Sequence, residues 1–359
     1  EQIFSKGLRA TIDEAKASIE RFTETWGTDI DQVYFWQAAI IVCEAMIAYS
    51  RRYAALARES AAAEADTARK AELQEIAAIC DCVPEYPART FHEALQCLNI
   101  IMVGRGLEAM YPLLVGRMDQ YLWPYLREDL ETGRLTVETA EELLSEFFIS
   151  LNKDSDLYPG IQQGDNGQSV MLGGVTRDGA DAVNELTRMA LRVSRDVGLI
   201  DPKINLRMTR DTDLELLALG SELTRVGLGF PQYSNDEVVI PALVAHGYGL
   251  EDARDYTVAA CWEFIIPGKG MDVVNIGAVS FPAAADRGIR AALADGATWE
   301  TLQERVAADI RDQVARLMAE KSDIFLPPAP VYSVFMDGCL ECGRDMARGL
   351  RYSNLGIHG

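Results

Sequence analysis

The sequence predicts an α/β fold, either a barrel or a doubly wound sheet, with a helical part at its N-terminal end. Two patterns carry that prediction. From about residue 100 onward, short apolar or β-branched segments alternate with amphipathic helical ones. At least one of those segments, YTVAACWEF (256–264), is almost uninterruptedly apolar, as a strand covered on both faces should be. The length of 359 residues, with 48% hydrophobic and 25% charged, supports a large core and one continuous domain. No Pro- or Ser-rich linker, low-complexity tract or repeat divides it.

The elements follow in order. ATIDEAKASIERFTET (10–25) is amphipathic and helical. Asp29 or Asp31 caps a long Ala-rich helix from Val33 to Asp66. A third helix spans Ala68 to Cys82 and stops near Pro84. Thr90 opens a fourth, with Thr90-x-x-Glu93 as a capping box. Further helices are expected at 118–128, 136–151 and 181–196. Strands are expected in QSVMLGGVT (168–176), DPKINLRMT (201–209), GFPQYSNDEVVIPALVAHG (229–247, running into a helix), YTVAACWEF (256–264) and APVYSVFMDG (329–338). In the third, Ser234, Asn235 or Asp236 caps the helix.

Charge narrows the function. There are 34 Lys and Arg against 55 Asp and Glu, a net charge of −21, which opposes a nucleic-acid surface. The apolar stretch LQCLNIIMVGRG (95–106) is too short to span a bilayer, so no membrane partner is expected. The N-terminus lacks the apolar core of a signal peptide, and a cytoplasmic location is the default. Seven cysteines (43, 80, 82, 97, 261, 339, 342) in such a chain suggest reduced thiols. Cys80/Cys82 and Cys339/Cys342 lack a second pair at zinc spacing, and only three histidines are present, so no metal site is expected.

The motifs of serine hydrolases, zinc proteases, P-loops and dinucleotide sites are all missing. Chemistry would therefore fall to cysteine and carboxylates. Cys261 stands two residues before Glu263, ahead of the turn IIPGKG (265–270). The bland reading is a buried thiol and a chance carboxylate. Against it, a carboxylate in apolar surroundings is costly without partners. The carboxylate also disfavours a thiolate, so the pair suits a sulfur radical with a neighbouring base. In an extended segment the two side chains share a side, whereas a helix would part them by about 200°. The same spacing recurs at Cys339 and Glu341, which shows how short the motif is. Lys203, Asn205 and Arg207 alternate along one strand face, either exposed or forming an anion clamp. Gly173 and Gly174 read as loop glycines without a phosphate-binding context.

Eight segments in order resemble the glycyl radical enzymes of the pyruvate formate-lyase-like superfamily. They are VPEYPARTFHEALQ (83–96), GRMDQYLWPYL (116–126), GQSVMLGGV (167–175), DPKINLRM (201–208), GFPQYSNDEVVIPAL (229–243), AACWEF (259–264), SVFMDGCLECGRDM (333–346) and RYSNLGIHG (351–359). The resemblance is to the branch of choline trimethylamine-lyase, the glycerol, propanediol and hydroxyproline dehydratases, isethionate sulfite-lyase and the arylacetate decarboxylases.

That resemblance implies a ten-stranded α/β barrel of two five-stranded half-sheets arranged antiparallel and wrapped by helices. Residues 1–100 would pack outside it, and 101–359 would form its central part, with the cysteine loop at 259–270. Cys261 would be the thiyl that takes a substrate hydrogen atom, and Glu263 the general base. Water, amine or sulfite would leave a small 1,2-diol, amino-alcohol or hydroxysulfonate. Asp165, Asn166, Gln168, Arg207, Tyr233 and Trp262 are the candidate substrate contacts. Cys339 and Glu341 fall in a structural GC-x-E-x-G-x-D segment.

No bound cofactor is implied. A glycyl radical, installed by a radical S-adenosylmethionine activase, would reside in a C-terminal domain whose R-V-x-G-Y motif this sequence lacks. The chain alone is thus not expected to be activated, and it represents the central piece of such an enzyme or a shortened relative. A homodimer is a family expectation, as is residence in a bacterial microcompartment. Ala260 and Trp262 replace the glycine and small apolar residue that usually flank the cysteine, and Trp262 rules out the Cys-Cys pair of pyruvate formate-lyase itself. Arylacetate decarboxylation by the same pair, or a non-catalytic barrel, are the competing readings.

Overall fold

The computed structural model describes residues 2–108, 114–153, 167–259, 263–270, 277–322 and 327–352. Two compact units emerge: residues 1–272 joined by 328–359, and residues 273–327. The sequence reading of one continuous domain did not separate the second.

The larger unit begins with α1 (Gln2–Glu24), α2 (Ile30–Ala63), α3 (Thr67–Cys82) and α4 (Phe91–Leu107). Their starts are set by side-chain caps. Asp29 accepts from the Asp31 amide, Asp66 from Arg69 and Thr90 from Glu93. The expected capping box is only half made: the Glu93 carboxylate reaches past Thr90 to the Arg89 amide at 2.6 Å and to the Arg89 guanidinium. Gly7 sits at φ 74° inside α1, where a Cβ would lie 2.4 Å from the Glu85 carbonyl oxygen. Its absence lets Leu8 and Arg9 donate to the carbonyls of Pro84 and Glu85.

By length and composition α2 could cross a membrane, which corrects the sequence reading that no segment could. It buries Phe35, Trp36, Ala39, Cys43, Met46, Ile47 and Ala54 within the protein and packs chiefly on α1 and α3.

Next come α5 (Met118–Tyr121), α6 (Trp123–Glu131), α7 (Val137–Ser150), β1 (Ser169–Gly173), α8 (Glu185–Val197), β2 (Lys203–Met208), α9 (Leu214–Val226), β3 (Gln232–Asn235), α10 (Asp236–Ala245) and α11 (Leu250–Arg254). The strands β1, β2 and β3 form one parallel sheet in that order, with Met171 opposite Asn205 and Arg207 opposite Ser234. Helical crossovers α8 and α9 make this the expected α/β pattern. Asn235 is the residue that caps α10, accepting from the Glu237 amide.

Alternation along the strands gives the sheet two faces. Val170, Leu172, Ile204 and Leu206 join the main core, with Leu144, Phe148, Leu186, Met189, Leu216 and Leu223 from the helices. That core is continuous with Phe4, Leu8 and Ile12 of α1. The other face presents Met171, Asn205 and Arg207, all fully buried. Met171 packs there with Leu243, Tyr248, Tyr256, Val258 and Ile266.

Two strand expectations need correction. YTVAACWEF is not one strand but two: β4 (Thr257–Ala259) and β5 (Glu263–Ile265), paired antiparallel. APVYSVFMDG holds a helical turn, α14 (Pro330–Ser333), preceding α15 (Cys339–Cys342) and a 3₁₀ turn at Met346–Arg348. Its β-branched residues argued for a strand, but Pro330 suits a first helical turn. The Glu108 carboxylate then accepts from the first-turn amides of Val331 and Tyr332, at 2.9 and 3.0 Å.

The smaller unit holds a helical pair, α12 (Phe281–Asp295) and α13 (Trp299–Lys321), which precede α14 in the chain and are capped by Ser280 and Thr298. Arg287 grips Asp309 through two 2.6 Å hydrogen bonds, and Arg305 binds Asp295.

Candidate active site

The β4–β5 hairpin lies against the inner face of the sheet. Val258 and Phe264 are register partners and face the cluster around Met171 and Tyr256. Thr257, Ala259, Glu263 and Ile265 therefore occupy the other side. Ala259 pairs with Glu263, so Cys261 is the middle residue of the three that join the paired ends. Cys261 and Trp262 themselves lie outside the described residues, as do Asp165 and Asn166. Glu263 is buried, at 7% exposure.

Two buried arginines hold the segment that enters the hairpin. Arg207 donates to Asp236 through Nε and Nη2, both at 2.8 Å, and to the carbonyls of Arg254 (2.8 Å) and Tyr256 (3.2 Å). Its guanidinium also stacks 4.0 Å from the centre of the Tyr256 ring. The Tyr256 hydroxyl donates to Asp236 at 2.8 Å, and burial pushes that phenol's pKa up. Arg117 donates to Asp255 (2.9 Å) and to the carbonyls of Arg254, Gly173 and Val175. Burial, then the charge of Arg207, lowers the Arg117 pKa.

The segment leaving the hairpin is held separately. Lys269 pairs with the buried Asp252, which also accepts from Arg177 (2.9 Å) and the Tyr352 hydroxyl (2.5 Å). The Gly268 carbonyl accepts from Asp337 at 2.8 Å, and the Lys269 carbonyl from Tyr352 at 3.0 Å.

Beside the Thr257/Ile265 side of the hairpin is a cavity of about 350 Å³. Phe4, Ile101, Tyr121 and Ile265 supply apolar wall, and Arg105 and Thr257 contribute polar groups. The volume suits a small-molecule site. Among the described residues, no cluster of three His, Cys, Asp or Glu is arranged to hold a metal ion.

The sheet does not gather the other sequence candidates around this cavity. Lys203, Asn205 and Arg207 do share a face, but the Arg207 charge is neutralised by Asp236 instead of being offered as an anion clamp. Tyr233 points to the helical side, where its hydroxyl meets Thr224 at 3.0 Å. Gln168 sits at the start of β1, its side-chain amide donating to the Leu151 carbonyl at 2.8 Å. None of the three lines the cavity. Thr257 and Arg105 do, and were missed, because nothing local marks a threonine in a buried strand or an arginine at a helix end as facing a cavity.

The chain belongs to the pyruvate formate lyase-like family, whose model matches residues 1–359. It is 36% identical to the isethionate sulfite-lyase of Oleidesulfovibrio alaskensis over 79% of this chain and 35% of that protein. It is 30% identical to the (2S)-3-sulfopropanediol dehydratase of Klebsiella oxytoca over 97% of this chain and 45% of that one. A glycyl radical enzyme from Archaeoglobus fulgidus superposes with a TM-score of 0.84 at 28% identity, over 97% of this chain and 48% of its own. A structure describing 1,2-propanediol dehydration in Roseburia inulinivorans superposes with a TM-score of 0.81 at 28% identity, over 98% and 47%. The chain thus spans between about a third and half the length of these relatives. The expected barrel class agrees with these neighbours; among the described residues the strands form one three-stranded and one two-stranded sheet.

Proposed function

We propose that the protein is a glycyl radical lyase in which Cys261 takes a hydrogen atom from substrate carbon and Glu263 takes the proton of the adjacent hydroxyl. The observation that carries this is the pairing of Ala259 with Glu263, which makes Cys261 the centre of a three-residue connection beside a buried carboxylate. The glycyl radical of such enzymes, installed by a radical S-adenosylmethionine activase, supplies the oxidising equivalent that turns the thiol into a thiyl.

The chain's residues then account for the rest. Hydrogen transfer between carbon and sulfur needs no charged sulfur, so a neighbouring carboxylate does not oppose it. The thiyl gains the hydrogen and leaves a carbon radical beside the hydroxyl. Glu263, at the edge of an apolar hairpin, accepts the hydroxyl proton as a general base. The leaving group departs with its electron pair, and the thiol returns its hydrogen atom to the product radical. Burial of Glu263, at 7% exposure, limits the access of water to the base. The substrate class is a small 1,2-diol, amino-alcohol or hydroxysulfonate.

The test uses the polypeptide as the gene encodes it, treated with its activase. Cys261→Ala should abolish turnover while leaving the glycyl radical signal in electron paramagnetic resonance. Glu263→Gln should lose elimination with substrate still bound. Turnover that survives either substitution would remove the corresponding role. Products formed from a diol and from an arylacetate separate elimination from decarboxylation.

A further inference from the structure

We infer that Cys339 and Cys342 form a dithiol that small-molecule disulfides oxidise reversibly to an intramolecular disulfide. This is independent of the chemistry proposed at Cys261. The two cysteines begin and end α15, a single turn bounded by Gly338 at φ 86° and Gly343 at φ 63°. Three residues along a helix bring two Cα atoms to about 5 Å on one face. A disulfide spans that separation without backbone movement. The Cys342 side chain already leans back over the turn, its Sγ donating to the Cys339 carbonyl at 3.8 Å. Both are free thiols in the structure.

Spacing singles out this pair. Cys80 and Cys82 also stand close in sequence, but two residues along α3 turn their side chains about 200° apart. Cys80 is buried, and the Cys82 thiol is aimed at the Pro87 carbonyl, 3.9 Å away. In α15 the two thiols differ in access. Cys342 is exposed, whereas Cys339 is 3% exposed and packs with Phe35, Trp36, Ala39 and Leu340. One thiol can thus meet a reagent, and the other is placed to displace it. A disulfide closed over four residues constrains the unfolded chain little, and an exposed one is readily reduced, so the couple is reversible.

The exchange balances in two steps. The Cys342 thiol gives its proton to water, and its sulfur bonds one sulfur of the reagent and expels the other as a thiolate. The Cys339 thiol then gives up its proton, and its sulfur displaces the remaining reagent thiolate from Cys342. Two protein thiols are oxidised, and one reagent disulfide is reduced to two thiols. The second step is the slower, because burial, then the nearby Cys342, Asp345 and Glu341, disfavours the Cys339 thiolate. The turn is fastened to its surroundings. The carbonyls of Leu340 and Cys342 accept from the Trp36 (2.8 Å) and Gln32 (2.9 Å) side chains of α2. Asp337, just before the turn, donates its amide to the Gly268 carbonyl. The disulfide would therefore form beside a support of the segment that leaves the hairpin.

The experiment equilibrates the polypeptide as the gene encodes it with oxidised glutathione, alkylates the remaining thiols with iodoacetamide in denaturant and weighs the tryptic peptides. Peptide 322–344 contains Cys339 and Cys342 and no other cysteine, and peptide 71–89 contains Cys80 and Cys82. Peptide 322–344 should lose the mass of two hydrogen atoms and take no iodoacetamide, and a thiol reductant should reverse both changes. Peptide 71–89 should show no such loss. Cys339→Ala should keep one glutathione on Cys342, and Cys342→Ser should leave Cys339 free of glutathione. Should Cys339→Ala fail to fold, the wild type and the exposed Cys342→Ser carry the test. A wild type that stops with glutathione on Cys342, or that does not react at all, overturns the pair. So does a disulfide joining either cysteine to a third, or an equal mass loss in peptide 71–89.

Discussion

Asp236 receives two hydrogen bonds from the Arg207 guanidinium, both at 2.8 Å, with both side chains fully or almost fully buried. The pair joins the end of β2 to the start of α10, and through Tyr256 it reaches the entry to the hairpin. A buried pair of this kind is not stabilising by its charge alone, since desolvation offsets much of the attraction. Its value is positional: every donor is directed at a fixed atom.

Removing one member should therefore be costly. Arg207→Met leaves Asp236 buried without its counter-charge and frees the carbonyls of Arg254 and Tyr256. The expected loss is about 3–5 kcal/mol, read from urea unfolding. A loss below about 1 kcal/mol would show that water or rearrangement replaces the pair.

Gly174 tests the same network sterically. It lies at φ 74°, and a Cβ there would meet Arg207 Nε at 2.5 Å and Asp236 Oδ2 at 2.6 Å. Gly174→Ala should thus cost more than the roughly 1–2 kcal/mol of a left-handed alanine alone. Thermal unfolding of the Gly174→Ala and Arg207→Met variants, singly and together, checks this. Sub-additive losses are expected, because both damage one contact.

Asp252 should make the protein acid-sensitive. Burial alone would raise its pKa, but hydrogen bonds from Lys269 and Tyr352, with the charges of Lys269 and Arg351, outweigh that and hold it below the ordinary value. A carboxylate depressed on folding contributes stability above its unfolded pKa of about 3.9. That contribution disappears as pH falls through the folded value. The stability gap between wild type and Asp252→Asn should therefore be full at neutral pH and shrink below about pH 4. A gap that widens on acidification would contradict the assignment.

Thiol accessibility gives a further check. Burial pushes Cys43, Cys97 and Cys339 up to about 12, and Cys80 upward as well. Cys342 is exposed. Iodoacetamide at neutral pH should label Cys342 well ahead of these four, with labelling of all reached only on denaturation.

Much of this architecture was legible because it is local. Asp29, Thr90 and Asn235 cap helices by bonds to amides only two or three residues away, so short windows reveal them. Two of the parallel strands showed through apolar residues, Val170, Leu172, Ile204 and Leu206, in short segments between helical ones. The chain reversal inside YTVAACWEF did not, because residues 260–262 are Ala, Cys and Trp and contain none of the usual turn formers. The role of Arg207 was hidden for a different reason. Its partners Asp236 and Tyr256 are 29 and 49 residues away, and only the fold brings them together. The strand face itself was read correctly, but which element would cover it was not encoded locally. Likewise the helical turn at Pro330–Ser333 depends on a carboxylate from Glu108, more than two hundred residues earlier.

The separate fastening of the two legs makes the hairpin a cantilever. Each strand has three residues, so the arm beyond its supports is about 10 Å long. A tilt of roughly 6° at the base would carry its free end about 1 Å sideways, a misplacement large enough to cost a reaction about a hundred-fold. Accuracy at the tip is thus governed by stiffness at the root, where Arg117, Arg207 and Asp252 are found. Conservative changes at those supports would therefore shift the free end without altering any residue it carries.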